Sequence, residues 1–131
     1  YYLNMDRDKL IMSFRNLIKN SIEAMENNNI ESIIYLSSYH EIIDYKEFFT
    51  VSITDTGIGI ENNNIKRIFE PYFTTKRHGT GLGLTNVARI IEAHNGNINI
   101  ESEYNKGAEV IIKLPLLQEN QKFLKTDLLN G

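Results

Sequence analysis

Three short stretches carry the residues best suited to chemistry: "NLIKNSIEAM" from Asn16 to Met25, "DTGIGI" from Asp55 to Ile60, and "GTGLGL" from Gly79 to Leu84. In the first, Asn16, Asn20 and Glu23 recur at helical spacing and share one side of a helix. In the second, one carboxylate precedes two glycines. A carboxylate in a pocket accepts strong hydrogen bonds, and Gly57 and Gly59 permit close backbone approach. In the third, glycines feed a helix with apolar positions Leu84, Val87, Ala88 and Ile91, so free N–H groups and the positive end of the helix dipole would face an anion. Two familiar phosphate binders do not fit. A Rossmann fingerprint needs a glycine where Leu84 stands, and a P-loop needs a lysine directly after the glycines. Lys76, Arg77 and His78 place positive charge just ahead of the segment. Taken singly, each stretch also reads as a solvated helix face, an ordinary turn or a basic loop.

The composition narrows the classes. A length of 131 residues with 41% hydrophobic content is enough for one core. A net charge of −3, with both signs mixed along the chain, gives no nucleic-acid footprint and no polybasic membrane patch. The absence of cysteine rules out a disulfide framework, a cysteine metal cluster and a thiol nucleophile. No stretch has the length of a membrane span or the pattern of a signal peptide. Starting on Tyr1-Tyr2 without methionine, the sequence reads as a piece of a longer protein.

The elements that must hold these stretches follow from punctuation and period. Asp6 can cap a helix from Arg7 to Met25, with Leu10, Phe14, Leu17, Ile18, Ser21, Ile22 and Met25 as its core stripe. Strands are expected at Ile30 to Tyr39 and Lys46 to Thr54, paired as a hairpin. A short helix around Ile65 to Phe69 comes next, then the glycine segment and its helix. Strands near Asn97 to Ser102 and Glu109 to Leu114 close the chain, with Asn105-Lys106-Gly107 as their turn. Asn27 to Asn29 and Asn62 to Asn64 read as loop filler. The order α-β-β-α-α-β-β predicts an α+β fold, a two-layer sandwich with a mixed, mostly antiparallel sheet covered by helices on one face. The domain is expected over residues 1–115, with 116–131 as a peripheral tail.

In this order, with "IFEPYFTTK" from Ile68 to Lys76 between the last two, the stretches resemble the ATP-binding domain of sensor histidine kinases. That domain belongs to the superfamily shared with gyrase, the Hsp90 chaperones and MutL, and the resemblance runs from about Asp6 to Pro115. It implies a Bergerat-type fold that binds ATP and magnesium. It implies Asn20 as the magnesium ligand, with Asn16 one turn away and Lys19 and Glu23 at the rim. Asp55 would read the adenine amine, with Gly57, Gly59 and Ile60 beside the base and sugar. Phe69, Tyr72 and Phe73 would form the aromatic base of a lid. Thr75, Lys76, Gly79, Thr80, Gly81, Leu82, Gly83 and Leu84 would line the phosphates, with Lys76 and Arg77 positioning the transferred group. One motif departs from the family pattern. Asn105, Gly107-Ala108 and Val110 stand where a glycine, Gly-Thr and an aromatic are usual, so polar contact from that turn is not expected.

The resemblance also implies a branch. Hydrolytic members carry a glutamate at the position of Asn16 as general base, and asparagine cannot take a proton. ATP should therefore be held without rapid hydrolysis, for transfer to a histidine. Phosphoryl transfer asks mainly for positioning and charge stabilisation, so the acceptor can lie elsewhere. His40-Glu41 imitates an acceptor pair but falls in a strand, and His94 reads as structural. The acceptor in a dimerisation and phosphotransfer domain, any sensor and any membrane span are expected before Tyr1. A response regulator receiver domain is the expected partner, with no nucleic acid and no direct membrane contact, and the expected location is cytoplasmic. "NSIEAM" and "EPYFTTK" look most like the nitrogen-regulation subgroup. Two other readings stand beside this one: a conformational ATPase of the gyrase or chaperone type, and a degenerate regulatory module.

Overall fold

The computed structural model describes residues 2–26, 31–75, 79 and 81–117. Its elements come in the expected order: α1 Arg7–Met25, β1 Ile34–Ile43, β2 Lys46–Asp55, α2 Asn62–Ile65, α3 Gly83–Ala93, β3 Asn97–Glu103 and β4 Gly107–Pro115. The strands form one four-stranded sheet in the order β1-β2-β4-β3. All described pairs are antiparallel, so no parallel pairing joins the mostly antiparallel sheet that was expected. Two hairpins, β1-β2 and β3-β4, are joined through β2 and β4. Helices α1 and α3 cover one face in an α+β two-layer sandwich.

Local chemistry explains the helix ends. The Asp6 carboxylate accepts from the Lys9 amide at 3.2 Å, satisfying one of the donors that the first turn of α1 leaves without a partner. The imidazole of His94 joins that start to the end of α3. Its Nε2 accepts from the Asp6 amide at 2.8 Å, and its Nδ1–H donates to the Ile90 carbonyl at 2.6 Å. An amide can only donate, so Nε2 must keep its lone pair and Nδ1 carries the hydrogen. His94 is thus a structural clamp, as its place near the helix end suggested.

The core lies between the helices and the sheet, where Leu17, Ile53, Val87, Ile91, Ile112 and Leu114 are almost wholly buried. In α1 the buried stripe is Leu10, Ser13, Leu17, Ser21 and Met25. Ile22, expected in it, is 49% exposed, because it lies about 100° around the helix from its neighbour Ser21. The Ser13 hydroxyl donates to the Lys9 carbonyl at 3.0 Å and so avoids an unpaired buried polar group.

Three boundaries differ from expectation. Strand β1 begins later and reaches Ile43, because the hairpin closes at Asp44 and Tyr45, both at positive φ. The helix expected at Ile65 to Phe69 sits earlier, opened by Asn62 to Asn64, which are therefore not loop filler. After it the chain tightens into turns that bond three residues back, Arg67 to the Asn64 carbonyl and Glu70 to that of Arg67. Pro71, with no N–H to donate, follows them. Finally, packing continues past Pro115: Leu116 is buried and the Leu117 amide donates to the Tyr2 carbonyl at 2.8 Å. Asn27 to Asn29 and most of the expected tail, 118–131, lie outside the described residues.

The face of the sheet away from the helices carries a small polar cluster. Glu41 accepts from Lys113 at 2.8 Å and from the Thr50 hydroxyl at 2.7 Å. These bonds, chiefly the one from Lys113, hold its carboxyl below the ordinary value of 4.5. A lowered folded value means that the stabilisation is fully present above the ordinary value and is lost as pH falls through the lowered one. The stability difference between the parent chain and Glu41→Gln, read from urea unfolding, should be constant near neutrality and shrink below pH 4.5. A difference that stays the same into acid would contradict this.

Candidate nucleotide-binding site

One side of α1 forms the first wall. Asn16 and Asn20 lie one turn apart and are both half-buried. Lys19 is turned to solvent and forms a 3.9 Å pair with Glu23, its neighbour one turn on; exposed pairs of this kind contribute little. Ala24, one turn past Asn20, is where the loop after β2 docks. The Ile58 amide donates to the Ala24 carbonyl at 3.1 Å. A Cβ on Gly57 would lie 2.6 Å from that carbonyl oxygen, so glycine is demanded by contact between backbones.

Asp55 ends β2 on the same face as buried Ile53, two residues earlier, so its side chain is aimed at the helical layer. It is only 6% exposed, and its Oδ1 accepts from the Gly57 amide at 2.9 Å. That bond fixes the carboxylate and leaves acceptor capacity on both oxygens.

The β3–β4 turn supports the loop from the other side. Gly59 has φ +70, and a Cβ there would meet the Glu103 and Gly107 carbonyl oxygens. The Asn105 amide donates to the Ile58 carbonyl at 2.6 Å. The Ile60 amide donates to the Ser102 hydroxyl at 2.8 Å, and that hydroxyl donates to the Gly107 carbonyl at 2.7 Å. The turn therefore makes polar contact with the loop although it lacks the usual residues, because most of this contact is between backbones. Residue types at 103–107 held no signal for it, and Ser102 read only as a polar residue in an alternating strand.

Phe69 and Phe73 pack against the core. The Arg67 guanidinium lies 4.5 Å from the Phe73 ring centroid and 3.3 Å from Glu70. The Thr85 hydroxyl ties α3 to the Phe69 carbonyl at 3.0 Å. Tyr72, expected with them at the base of the lid, is 77% exposed and has a positive φ of 66°. Its backbone has another task. The Tyr72 amide donates to the Gly81 carbonyl at 2.9 Å, and Gly81, at φ +73, lies so close that a Cβ would run into the Tyr72 backbone. Tyr72 and Gly81, which bracket residues 73–80, are thus fastened together. Thr75 and Gly79 are exposed, while Lys76, Arg77, His78 and Thr80 lie outside the described residues.

Leu82 precedes α3 without a side-chain cap, and Leu84 packs on the core. At Gly83 a Cβ would meet nothing within 4 Å. Room beside Gly83 lets a ligand approach the backbone at the start of this 11-residue helix. Among the described residues no group of three or more His, Asp or Glu could hold a metal. An amide oxygen together with oxygens of a bound ligand suits a hard cation. The half-buried Asn20 is of the right chemistry for that.

Residues 5–118 match the family described as histidine kinase-, DNA gyrase B- and HSP90-like ATPases. Sporulation kinase B of Bacillus subtilis (strain 168) is 40% identical over 113 residues, which are 84% of this chain and 24% of that protein. Sensor histidine kinase ZraS of Escherichia coli (strain K12) is 36% identical over 114 residues, 87% of this chain and 23% of that protein. Among solved structures, the catalytic domain of histidine kinase ThkA superposes with a TM-score of 0.71 at 34% identity, covering 87% of this chain and 70% of that one. The chain spans about a quarter of the length of these two curated relatives.

Two glycines in the site should respond oppositely to alanine. Gly57→Ala forces the loop off α1 and should cost about 1–3 kcal/mol of stability. Gly83→Ala, in open space at the start of a helix, should leave stability unchanged or raise it by up to about 1 kcal/mol. Thermal and urea unfolding of both variants measure this, and equal losses would contradict the packing described.

Proposed function

This chain belongs to the histidine kinase-, DNA gyrase B- and HSP90-like ATPase family, and on that premise we propose that it binds ATP with magnesium and presents the γ-phosphoryl group to a histidine elsewhere in a longer sensor kinase. The observation that carries the reading is the buried Asp55 carboxylate, fixed by the Gly57 amide beside a loop seated on α1. A fixed acceptor of this kind suits the exocyclic amine of adenine. Gly59 and Ile60 follow along base and sugar. The open approach to Gly83 and the start of α3 suits the phosphate end.

In this reading Asn20 supplies an amide oxygen to magnesium, which, when bound, neutralises charge on the phosphates. Lys76, Arg77 and Thr80 serve the phosphates from the glycine segment. Tyr72 and Gly81 are the fixed ends from which that segment closes over the nucleotide and excludes water. Asn16 cannot act as a base, which separates this chain from a conformational ATPase and suits an enzyme that keeps the γ-phosphoryl group for transfer. The kinase names of its relatives agree with that choice.

The phosphorylated histidine, the dimerisation domain that bears it and the response regulator that next receives the group are partners proposed for the longer protein. We assign the nucleotide-binding unit to residues 1–115 with the packed Leu116 and Leu117 beyond them, followed by the tail, and a cytoplasmic location. Among the described residues no helix is long and apolar enough to cross a membrane. His40 has no part in the transfer, since it lies within β1, paired across to Phe49 of β2.

Calorimetric titration of ATP, with magnesium and with chelator, tests the reading through two variants. Asp55→Asn retains an Oδ1 for Gly57 but replaces the other oxygen with a donor facing an amine, and should lose on the order of 2 kcal/mol, roughly thirty-fold in affinity, in both conditions. Asn20→Ala should lose most of its affinity only when magnesium is present. Unchanged binding by Asp55→Asn, or equal losses for Asn20→Ala in both conditions, would remove the corresponding assignment.

A further inference from the structure

The loop from Asp55 to Ile60 and the β3–β4 turn lock together through several contacts, most of them between backbones. The Asn105 amide bond to Ile58 is backbone to backbone. So are the close approaches of Gly59 to Glu103 and Gly107, and of Gly107 to the Asp55 carbonyl. The Ser102 hydroxyl adds a side-chain link: it accepts from the Ile60 amide at 2.8 Å and donates to the Gly107 carbonyl at 2.7 Å.

We propose that Ser102 is a positioning residue for the base end of the nucleotide site. It holds the Gly59–Ile60 limb against the turn and thereby keeps Asp55 in its binding pose. This rests on the nucleotide reading above. The contacts close a ring: Asp55 leads through Gly59 to Ile60, Ile60 bonds Ser102, Ser102 bonds Gly107, and Gly107 lies against Asp55. Strain at one point in such a ring is passed to the others, since its members touch without slack. A hydroxyl is well suited to the junction because it donates once and accepts at the same time. Alanine would take the partner from the Ile60 amide and one bond from the Gly107 carbonyl in a half-buried place. Threonine keeps both bonds, and its branched side chain is at home in a strand.

The test is the affinity of the 131-residue chain for ATP, ADP and adenosine, measured by calorimetry alongside thermal unfolding. Ser102→Ala should weaken all three by a common factor of about ten, because the disturbance lies at the base end. Ser102→Thr should stay within about threefold of the parent. A purely structural serine would lower the unfolding temperature while leaving the affinities of the folded protein alone. Affinities for Ser102→Ala within about twofold of the parent would therefore overturn the proposal, and so would a loss confined to ATP. If Ser102→Ala does not fold, hydrogen exchange at the Ile60 amide of the parent decides. Protection in the absence of nucleotide is expected, and free exchange overturns the assignment. Failure of the parent chain to bind any of the three compounds would overturn the nucleotide reading and this inference with it.

Discussion

A loop without regular structure has no ladder to satisfy its backbone groups, and the segment from Asp55 to Ile60 finds partners in three places outside itself and in its own Asp55 side chain. The Thr56 amide bonds the Ile33 carbonyl just before β1. The Gly57 amide turns back to the Asp55 carboxylate, and the Ile58 amide bonds Ala24 near the end of α1. The Ile60 amide bonds Ser102 on β3. Asp55 is therefore held by elements from both ends of the chain. The sandwich can be seen as the device that brings α1 and the β3–β4 turn to opposite sides of one carboxylate.

The glycine segment is built on another plan. The stretch from Tyr72 to Gly81 is fastened at its ends by the Tyr72–Gly81 bond, its base rests on Phe69 and Phe73, and Thr85 ties α3 to that base. Between those ends, residues 76–78 and 80 lie outside the described residues. In the function proposed, the half that reads the base is held by packed contacts and the half that meets the phosphates is completed by the ligand. Nor are the glycines equivalent. Gly57, Gly59, Gly81 and Gly107 are required by neighbouring protein atoms, whereas nothing in the fold crowds Gly83.

Much of the framework was legible because its signals are local. The cap at Asp6 and the apolar period mark α1 at the residues found, and the same period marks α3. What failed depended on contacts between distant residues or on turns without the usual residue types. The β1–β2 hairpin turns on Asp44-Tyr45, where glycine or asparagine would have announced it. The apolar spacing of Ile65, Ile68 and Phe69 imitates a helix that tight turns in fact replace. Asp55 could be singled out only through the family resemblance, since one aspartate before a glycine is an ordinary turn. Ser102 could not be found at all, because its importance lies in two backbone groups brought to it by the fold.

The most direct measurement is incubation of this chain with magnesium and γ-labelled ATP, following bound nucleotide, released phosphate and label on protein, before and after acid. Expected are saturable binding, negligible phosphate release and no label on the chain. The longer kinase under the same conditions should acquire label that acid removes. Steady phosphate release would instead mark a hydrolytic machine, and label on His40, His78 or His94 of this chain would contradict the separation of nucleotide site from acceptor.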